Sequence, residues 1–221
     1  MDTQLSLGLR RDLSHRRRDF VVGPANAAAV EALDAWPNWL GGILMLVGPE
    51  GSGKSHLARD WAVAARGHFL CDVEAELADL HILEGSPVAV DDADRVDDET
   101  LFHLINQAPT PGGGLLLTAR TRPQTWKVKL PDLRSRLDAL RVVELGEPDD
   151  EVLIGVLRRL FEQALIKPSD ETLAYLVHRI ERSVPKARQI VALLDAEHKP
   201  VNRKLAREVL EREGFGSEPE D

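Results

Sequence analysis

Eight consecutive residues, Gly48-Pro-Glu-Gly-Ser-Gly-Lys-Ser55, match the spacing G-x-x-x-x-G-K-[ST] of a loop that wraps phosphate. Gly48, Gly51 and Gly53 let the backbone close around the anion with amide N–H groups pointing inward, and a helix opening behind the loop adds its positive end. Pro49, Glu50 and Ser52 complete the wrap. Lys54 is placed to reach the β and γ phosphates, and Ser55 to hold Mg²⁺. A second acidic motif, Val90-Asp91-Asp92, closes an apolar run. There Asp91 can complete the Mg²⁺ shell, often through water, while Asp92 polarises an attacking water. Acid pairs are also common on surfaces, and Asp94, Asp97 and Asp98 crowd the same stretch. Between the two motifs in function, Thr118 of Thr118-Ala-Arg120 either senses a γ-phosphate or caps a strand. In Leu130-Pro-Asp-Leu-Arg-Ser-Arg-Leu137, Arg134 and Arg136 are either surface charges or a guanidinium that completes the site of a neighbouring subunit.

These groups need a scaffold that brings strand ends to one edge. Gly42 to Val47 is a short apolar run ending in the glycine loop, as a buried parallel strand would. Further strands are expected at His68–Asp72, Pro87–Asp91, Leu115–Thr118 and Leu140–Leu145, with helices at Ala25–Ala35 and Ser55–Arg66. Strands alternating with helical stretches imply a parallel sheet covered on both faces, with ligands at the carboxyl ends of its strands. From Glu151 onward the pattern is helical only: Val152–Leu165, Asp170–Ile180, Lys186–Glu197 and Arg203–Glu213, entered through Gly146-Glu-Pro148. No internal repeat is visible.

The 221 residues suit one well-buried core with a small appendage, and 43% hydrophobic with 29% charged residues describes an ordinary globular chain. A lone cysteine, Cys71, excludes an internal disulfide, and no apolar run reaches the length of a membrane span, so a reducing cytoplasm is the expected location. A net charge of -9 and a pI near 5.3 argue against the whole surface serving as a nucleic-acid platform. Charge is uneven: the first eighteen residues hold five arginines and two aspartates. That leader is either a solvated, flexible tail or a docking segment for an acidic partner surface or for nearby DNA phosphates. Ahead of the arginines, Gln4-Leu-Ser-Leu-Gly-Leu9 sets three leucines on a free end, where an extended segment can enter a partner's apolar pocket while the glutamine bonds at its rim.

Several of these stretches carry a family resemblance. Phe20-Val-Val-Gly-Pro-Ala-Asn26 resembles the segment that leads into the ATPase domain of DnaA-type replication initiators and lies over the adenine, which implies nucleotide contacts for Phe20, Val21, Val22 and Asn26. The continuation Gly-Lys-Ser-His-Leu57 is similar to the same clade and adds His56, and Leu-Arg-Ser-Arg-Leu137 resembles its arginine box. The implied fold is α/β: an AAA+ P-loop three-layer αβα domain with a parallel sheet, followed by a small all-helical lid. Its expected divisions are a flexible tail at 1–19, the nucleotide-binding domain at 20–147, the lid at 148–213 and a disordered tail at 214–221. The initiators carry a further DNA-binding helix-turn-helix domain, whereas this chain is expected to finish after the lid. With the N-terminal Gln-Leu-Ser-Leu and the Leu-Pro-Asp-Leu-x-Ser-Arg-Leu-Asp stretch ending at Asp138, it resembles the Hda-type regulators that inactivate DnaA. That resemblance implies contact of Gln4, Leu5, Ser6, Leu7 and Leu9 with the β sliding clamp of DNA polymerase III, with Gly8 a departure from the usual motif. It further implies Arg136 as the finger that stimulates ATP hydrolysis by DnaA, Arg188 as the lid arginine that senses nucleotide, ADP or ATP with Mg²⁺ as ligand, and access to DNA through the clamp. Turnover by the chain alone is expected to be weak, and a homo-oligomer stays open. A helicase-loader-like adaptor and a small P-loop kinase are the rival readings; the clamp-like motif has no use in either.

Overall fold

A computed structural model describes residues 20–214. Strand β1 (Ile43–Val47), one in from the edge of a five-stranded sheet, has all five residues buried. β1 lies between β4 (Gly114–Ala119) and β5 (Val142–Glu144), and the sheet continues from β4 through β3 (Pro87–Val90) to β2 (His68–Leu70). Every pairing is parallel, with Ile43 opposite Leu115, Met45 opposite Val142, His68 opposite Val88 and Pro87 opposite Gly114. Because side chains alternate across a strand, Met45, Val47, Val88, Val90, Leu115 and Leu117 enter one core with α5 (Asp98–Gln107) and α6 (Pro131–Asp138). Leu44, Leu46, Ala89 and Leu116 enter the other with α1 (Ala27–Asp34) and α2 (Lys54–Ala64). Two apolar faces explain why the central strands read as unbroken apolar runs rather than alternating ones.

The edges differ from the sequence expectation. β2 ends at Leu70 because Cys71 becomes the cap of α3 (Asp72–Leu77), its amide donating to Glu74 Oε2 at 3.0 Å. A further short helix, α4 (Leu80–Leu83), follows before β3. β4 is longer than expected, from Gly114 to Ala119. β5 is shorter, but bonds from Met45 N to Arg141 O (3.1 Å) and from Leu145 N to Val47 O (2.7 Å) carry its pairing beyond the strand's ends.

After β5 the chain is helical: α7 (Asp150–Gln163), α8 (Asp170–Val177), α9 (Val184–Ala196) and α10 (Arg203–Arg212). They enclose a separate core around Leu157, Phe161, Leu176 and Ile190, each fully buried. Each helix begins at a polar side chain that accepts a first-turn amide: Asp149 from Val152, Ser169 from Thr172, Ser183 from Lys186 and Asn202 from Leu205. Among the described residues no helix is long and apolar enough to cross a membrane.

Candidate functional site

The loop 48–55 joins β1 to α2, and its glycines fill positions where a side chain has no room. A Cβ on Gly48 would stand 2.4 Å from Leu145 O, one on Gly51 2.7 Å from Ser183 Cβ, and one on Gly53 2.9 Å from Phe20 Cε2. Gly51 and Gly53 also hold φ at 77° and 100°, the left-handed region that glycine enters freely. α2 opens at Gly53 with no side-chain cap, unlike α5 and the four helices after β5. Its first-turn amides are left for another acceptor. Lys54 is buried, and its Nζ donates to Gly48 O (2.7 Å) and Pro49 O (2.8 Å), with Ser52 Oγ at 3.5 Å. Burial pushes the Lys54 ammonium below its ordinary pKa; Asp91 and Asp92 pull it back up, and Arg120 lowers it further. Ser55 is exposed on the first turn of α2. A glycine cradle, an uncapped helix start and a desolvated ammonium together fit a phosphate group.

The acidic motif is set beside the loop by the sheet. β3 and β4 pair with Val90 opposite Leu117, so Asp91 and Thr118, each one residue further on, are neighbours. Thr118 is fully buried; its hydroxyl donates to Asp91 Oδ1 and accepts from the Asp92 amide at 3.2 Å. A hydroxyl has one hydrogen, so while this bridge holds Thr118 has none for a phosphate oxygen, and its observed work is to fix the acid pair. Asp92 sits in left-handed backbone at φ 51°. Its carboxyl is pushed above its ordinary pKa, first by burial and then by the charges of Asp91 and Asp94, against the lowering influence of Arg95 and Arg120. Ser55 and Asp91 suit a phosphate-bound Mg²⁺, which takes its remaining ligands from phosphate and water. Among the described residues no group of three or more His, Cys, Asp and Glu side chains forms a metal cage of its own.

Phe20 lies against the loop from the other side, its ring over Gly53 and 5.4 Å from the His56 ring. Asn26 shapes this segment: its side chain accepts from Gly23 N (3.0 Å) and donates to Val21 O (2.9 Å). Val21 packs into the gap left by Gly155 on α7, where a Cβ would meet it at 2.6 Å, while Val22 is exposed. The helical unit touches the loop directly, through a bond from Val184 N to Gly51 O at 3.3 Å. Arg188, one turn further along α9, is pushed below the ordinary arginine pKa by desolvation although the residue as a whole is exposed.

The two box arginines have separate fates. Arg134 donates to Pro123 O (2.7 Å) and Trp126 O (2.6 Å) and pairs with Asp138 at 3.5 Å, which ties down the loop before α6. Arg136 is exposed, with its guanidinium over the Phe102 ring of α5 at 5.4 Å. It is not gathered with the phosphate loop. Gln4, Leu5, Ser6, Leu7 and Leu9 lie outside the described residues. Sequence reasoning gave no role to Arg120, which pairs with Glu50 at 3.0 Å, or to the Ser183-Val-Pro185 contact with Gly51. The cap-then-proline pattern of that stretch was visible, but its target was not.

No family model matches the chain. An uncharacterized protein of Haemophilus influenzae is 31% identical over 173 residues, covering 72% of this chain and 75% of that one. The chain belongs to the family of this Haemophilus protein. The chromosomal replication initiator DnaA of Cutibacterium acnes is 22% identical over 224 residues, and the chain spans 45% of that protein's length. Among solved structures, domain III of the Thermotoga maritima initiator DnaA superposes with a TM-score of 0.74 at 21% identity, covering 90% of this chain and 96% of that one. AMPPCP-bound DnaA from Aquifex aeolicus gives 0.72 at 19% identity, covering 90% and 68%. The fold is therefore the DnaA-like AAA+ fold, an αβα layer on a parallel five-stranded sheet.

Proposed function

We propose that the protein is a nucleotide-bound regulator of replication initiation, of Hda type. It holds ADP or ATP with Mg²⁺ in the loop 48–55, reaches the β sliding clamp of DNA polymerase III through Gln4, Leu5, Ser6, Leu7 and Leu9, and stimulates ATP hydrolysis by DnaA with Arg136. In this reading residues 20–147 bind nucleotide, 148–213 are a lid carrying Arg188, and the segments 1–19 and 214–221 are tails.

The observation that carries the reading is the division between the two arginines of α6. Arg134 is held by two backbone carbonyls and Asp138, whereas Arg136 is exposed and rests on the face of Phe102. A cation–π contact made by an exposed arginine contributes only about 0.5–1 kcal/mol, so Arg136 can leave the half-buried Phe102 ring to meet charge developing on a partner's nucleotide. At the chain's own site, Lys54 would turn from the Gly48 and Pro49 carbonyls to the β and γ phosphates, Ser55 and Asp91 would hold the magnesium, and Asp92 would orient water. The bound magnesium supplies charge neutralisation between the phosphates. Contact with DNA is through the clamp. The AMPPCP-bound initiator of the same fold supports the choice of ligand.

The test mixes the protein with clamp loaded on DNA and ATP-bound DnaA and follows phosphate release. Stimulation is expected with the wild type and is expected to fall by about a thousandfold or more in Arg136→Ala, the scale of an arginine finger. A Gln4→Ala/Leu5→Ala variant should lose the dependence on clamp. Unchanged stimulation by Arg136→Ala would remove the finger, and clamp binding indifferent to Gln4 and Leu5 would remove the docking motif.

A further inference from the structure

The acids that crowd the stretch after Asp91-Asp92 find a use at its far end. Asp98 is the first residue of α5, and its Oδ2 accepts two consecutive amides from another part of the chain, Lys129 N at 2.6 Å and Leu130 N at 3.1 Å. Leu130 is the residue from which α6 opens; it offers no side-chain cap, and Pro131, next in line, has no amide to give. The entry into α6 is therefore held by an acid of a neighbouring helix, whereas each helix after β5 starts at a cap of its own. A carboxylate acceptor makes hydrogen bonds about twice as strong as a neutral one. Leu133 and Leu137 of α6 are fully buried, and Arg134 holds the carbonyls of Pro123 and Trp126. One turn along α5 from Asp98, on the same face, Phe102 lies beneath the Arg136 guanidinium at 5.4 Å. Asp98 thus acts on the backbone that leads into α6, where Phe102 meets only the side chain.

We propose that Asp98 is a positioning residue for Arg136: by holding the Lys129 and Leu130 amides it fixes the pose of α6, and with it the point from which the guanidinium reaches a partner's nucleotide. The inference rests on the reading of Arg136 as a finger supplied to DnaA. A finger acts across an interface, so its backbone must stand at a set place relative to the surface that docks, and a misplacement of about 1 Å costs on the order of a hundredfold in rate. Burial of Leu133 and Leu137 holds α6 against the core, but apolar packing is non-directional and resists tilting and sliding less than it resists lifting away. Arg134 ties the preceding loop to α6 itself, so those two can shift together. The Asp98 bonds are directional and tie that loop to α5, which is the constraint the other contacts do not supply. Removing them leaves the core side chains of α6 in place and changes where the helix points.

Phosphate release by ATP-bound DnaA, titrated with the full chain in the presence of clamp loaded on DNA, gives a saturated rate and a half-saturating concentration. Asp98→Ala should lower the saturated rate by about tenfold or more and leave the half-saturating concentration within about twofold, since the finger is displaced while the docking surface is kept. Asp98→Asn retains an oxygen for both amides and should stay within about threefold of the wild type. In an Arg136→Ala background Asp98→Ala should change nothing further, as expected of residues that act as a unit. Hydrogen exchange at the Lys129 and Leu130 amides should quicken in Asp98→Ala and not in Asp98→Asn, with thermal unfolding of both near that of the wild type. A saturated rate untouched by Asp98→Ala, a loss seen in the half-saturating concentration instead, an Asp98→Asn variant no better than Asp98→Ala, or a loss that survives without Arg136 overturns this inference while leaving the finger standing. Stimulation indifferent to Arg136→Ala overturns the finger and this inference together.

Discussion

The helices after β5 and the loop before α2 treat the same physical problem in opposite ways. In the helical unit every helix start is closed by a side chain of the chain itself, Asp149, Ser169, Ser183 and Asn202, over a dry core. Around the loop the helix start is left open at Gly53, an ammonium is desolvated among backbone carbonyls, and Asp92 is kept in left-handed backbone with a raised pKa. The first arrangement gathers stability; the second leaves polar groups under-compensated so that an outside anion can compensate them. The difference teaches that the binding capacity of this chain lies where its own hydrogen bonding is deliberately incomplete or weak.

Phe161→Ala is the largest blow to the stable side of this contrast. Emptying a fully buried aromatic position costs about 3–5 kcal/mol. Urea unfolding should show the loss, and hydrogen exchange should show it concentrated in α7–α10 rather than in β1 and β4. Equal loss of protection in both would mean one cooperative unit and would erase the distinction. Gly51→Ala attacks the junction between the two regions. Its left-handed φ alone costs about 1–2 kcal/mol for a residue with a Cβ, and that Cβ would fall on Ser183 and Pro185. Nucleotide affinity should drop along with stability; a variant that loses neither would show that the close approach is incidental. Asn202→Ala removes a cap far from the loop and should cost about 1 kcal/mol with no change in nucleotide affinity.

The smallest effect sharpens the site side. Asp92 has a raised folded pKa, so its proton favours the folded state: the contribution is fully present below the pKa of the unfolded chain and is lost as pH rises through the folded value. Asp92→Asn should therefore flatten the decline of stability just above the ordinary aspartate range, read as urea midpoints across mildly acidic pH. A slope unaltered by the substitution would mean that Asp92 is not the strained acid of the pair.

Legibility in the sequence followed the same physics. β1 and the loop were readable because a strand buried on both faces leaves an unbroken apolar run and because glycines at fixed spacing have no other common use. The four helices after β5 announced themselves by apolar periodicity. Residues 72–83 did not, since α3 and α4 are too short to show a period. α5 was hidden behind aspartates noted only as a crowd of surface-type acids, although Asp97 is its cap, accepting from Glu99 and Thr100, and Leu101, Leu104 and Ile105 mark its buried face. The bridge from Thr118 to Asp91 depends on the β3–β4 register, and the Glu50–Arg120 pair on β1 lying beside β4. Neither register is written in local composition. The choice between Arg134 and Arg136 became physical only when the carbonyls of Pro123 and Trp126 were seen to claim the former.

The bond from Val184 N to Gly51 O gives the molecule a mechanical property. It fixes the near end of α9 to the loop, and thirteen residues at 1.5 Å rise make that helix a rod of about 20 Å. A rotation of five degrees about that end would carry the far end through about 2 Å. A change of backbone at Gly51 therefore meets the start of α9 at once, through the Val184 bond and through the Ser183 and Pro185 side chains packed against the same glycine.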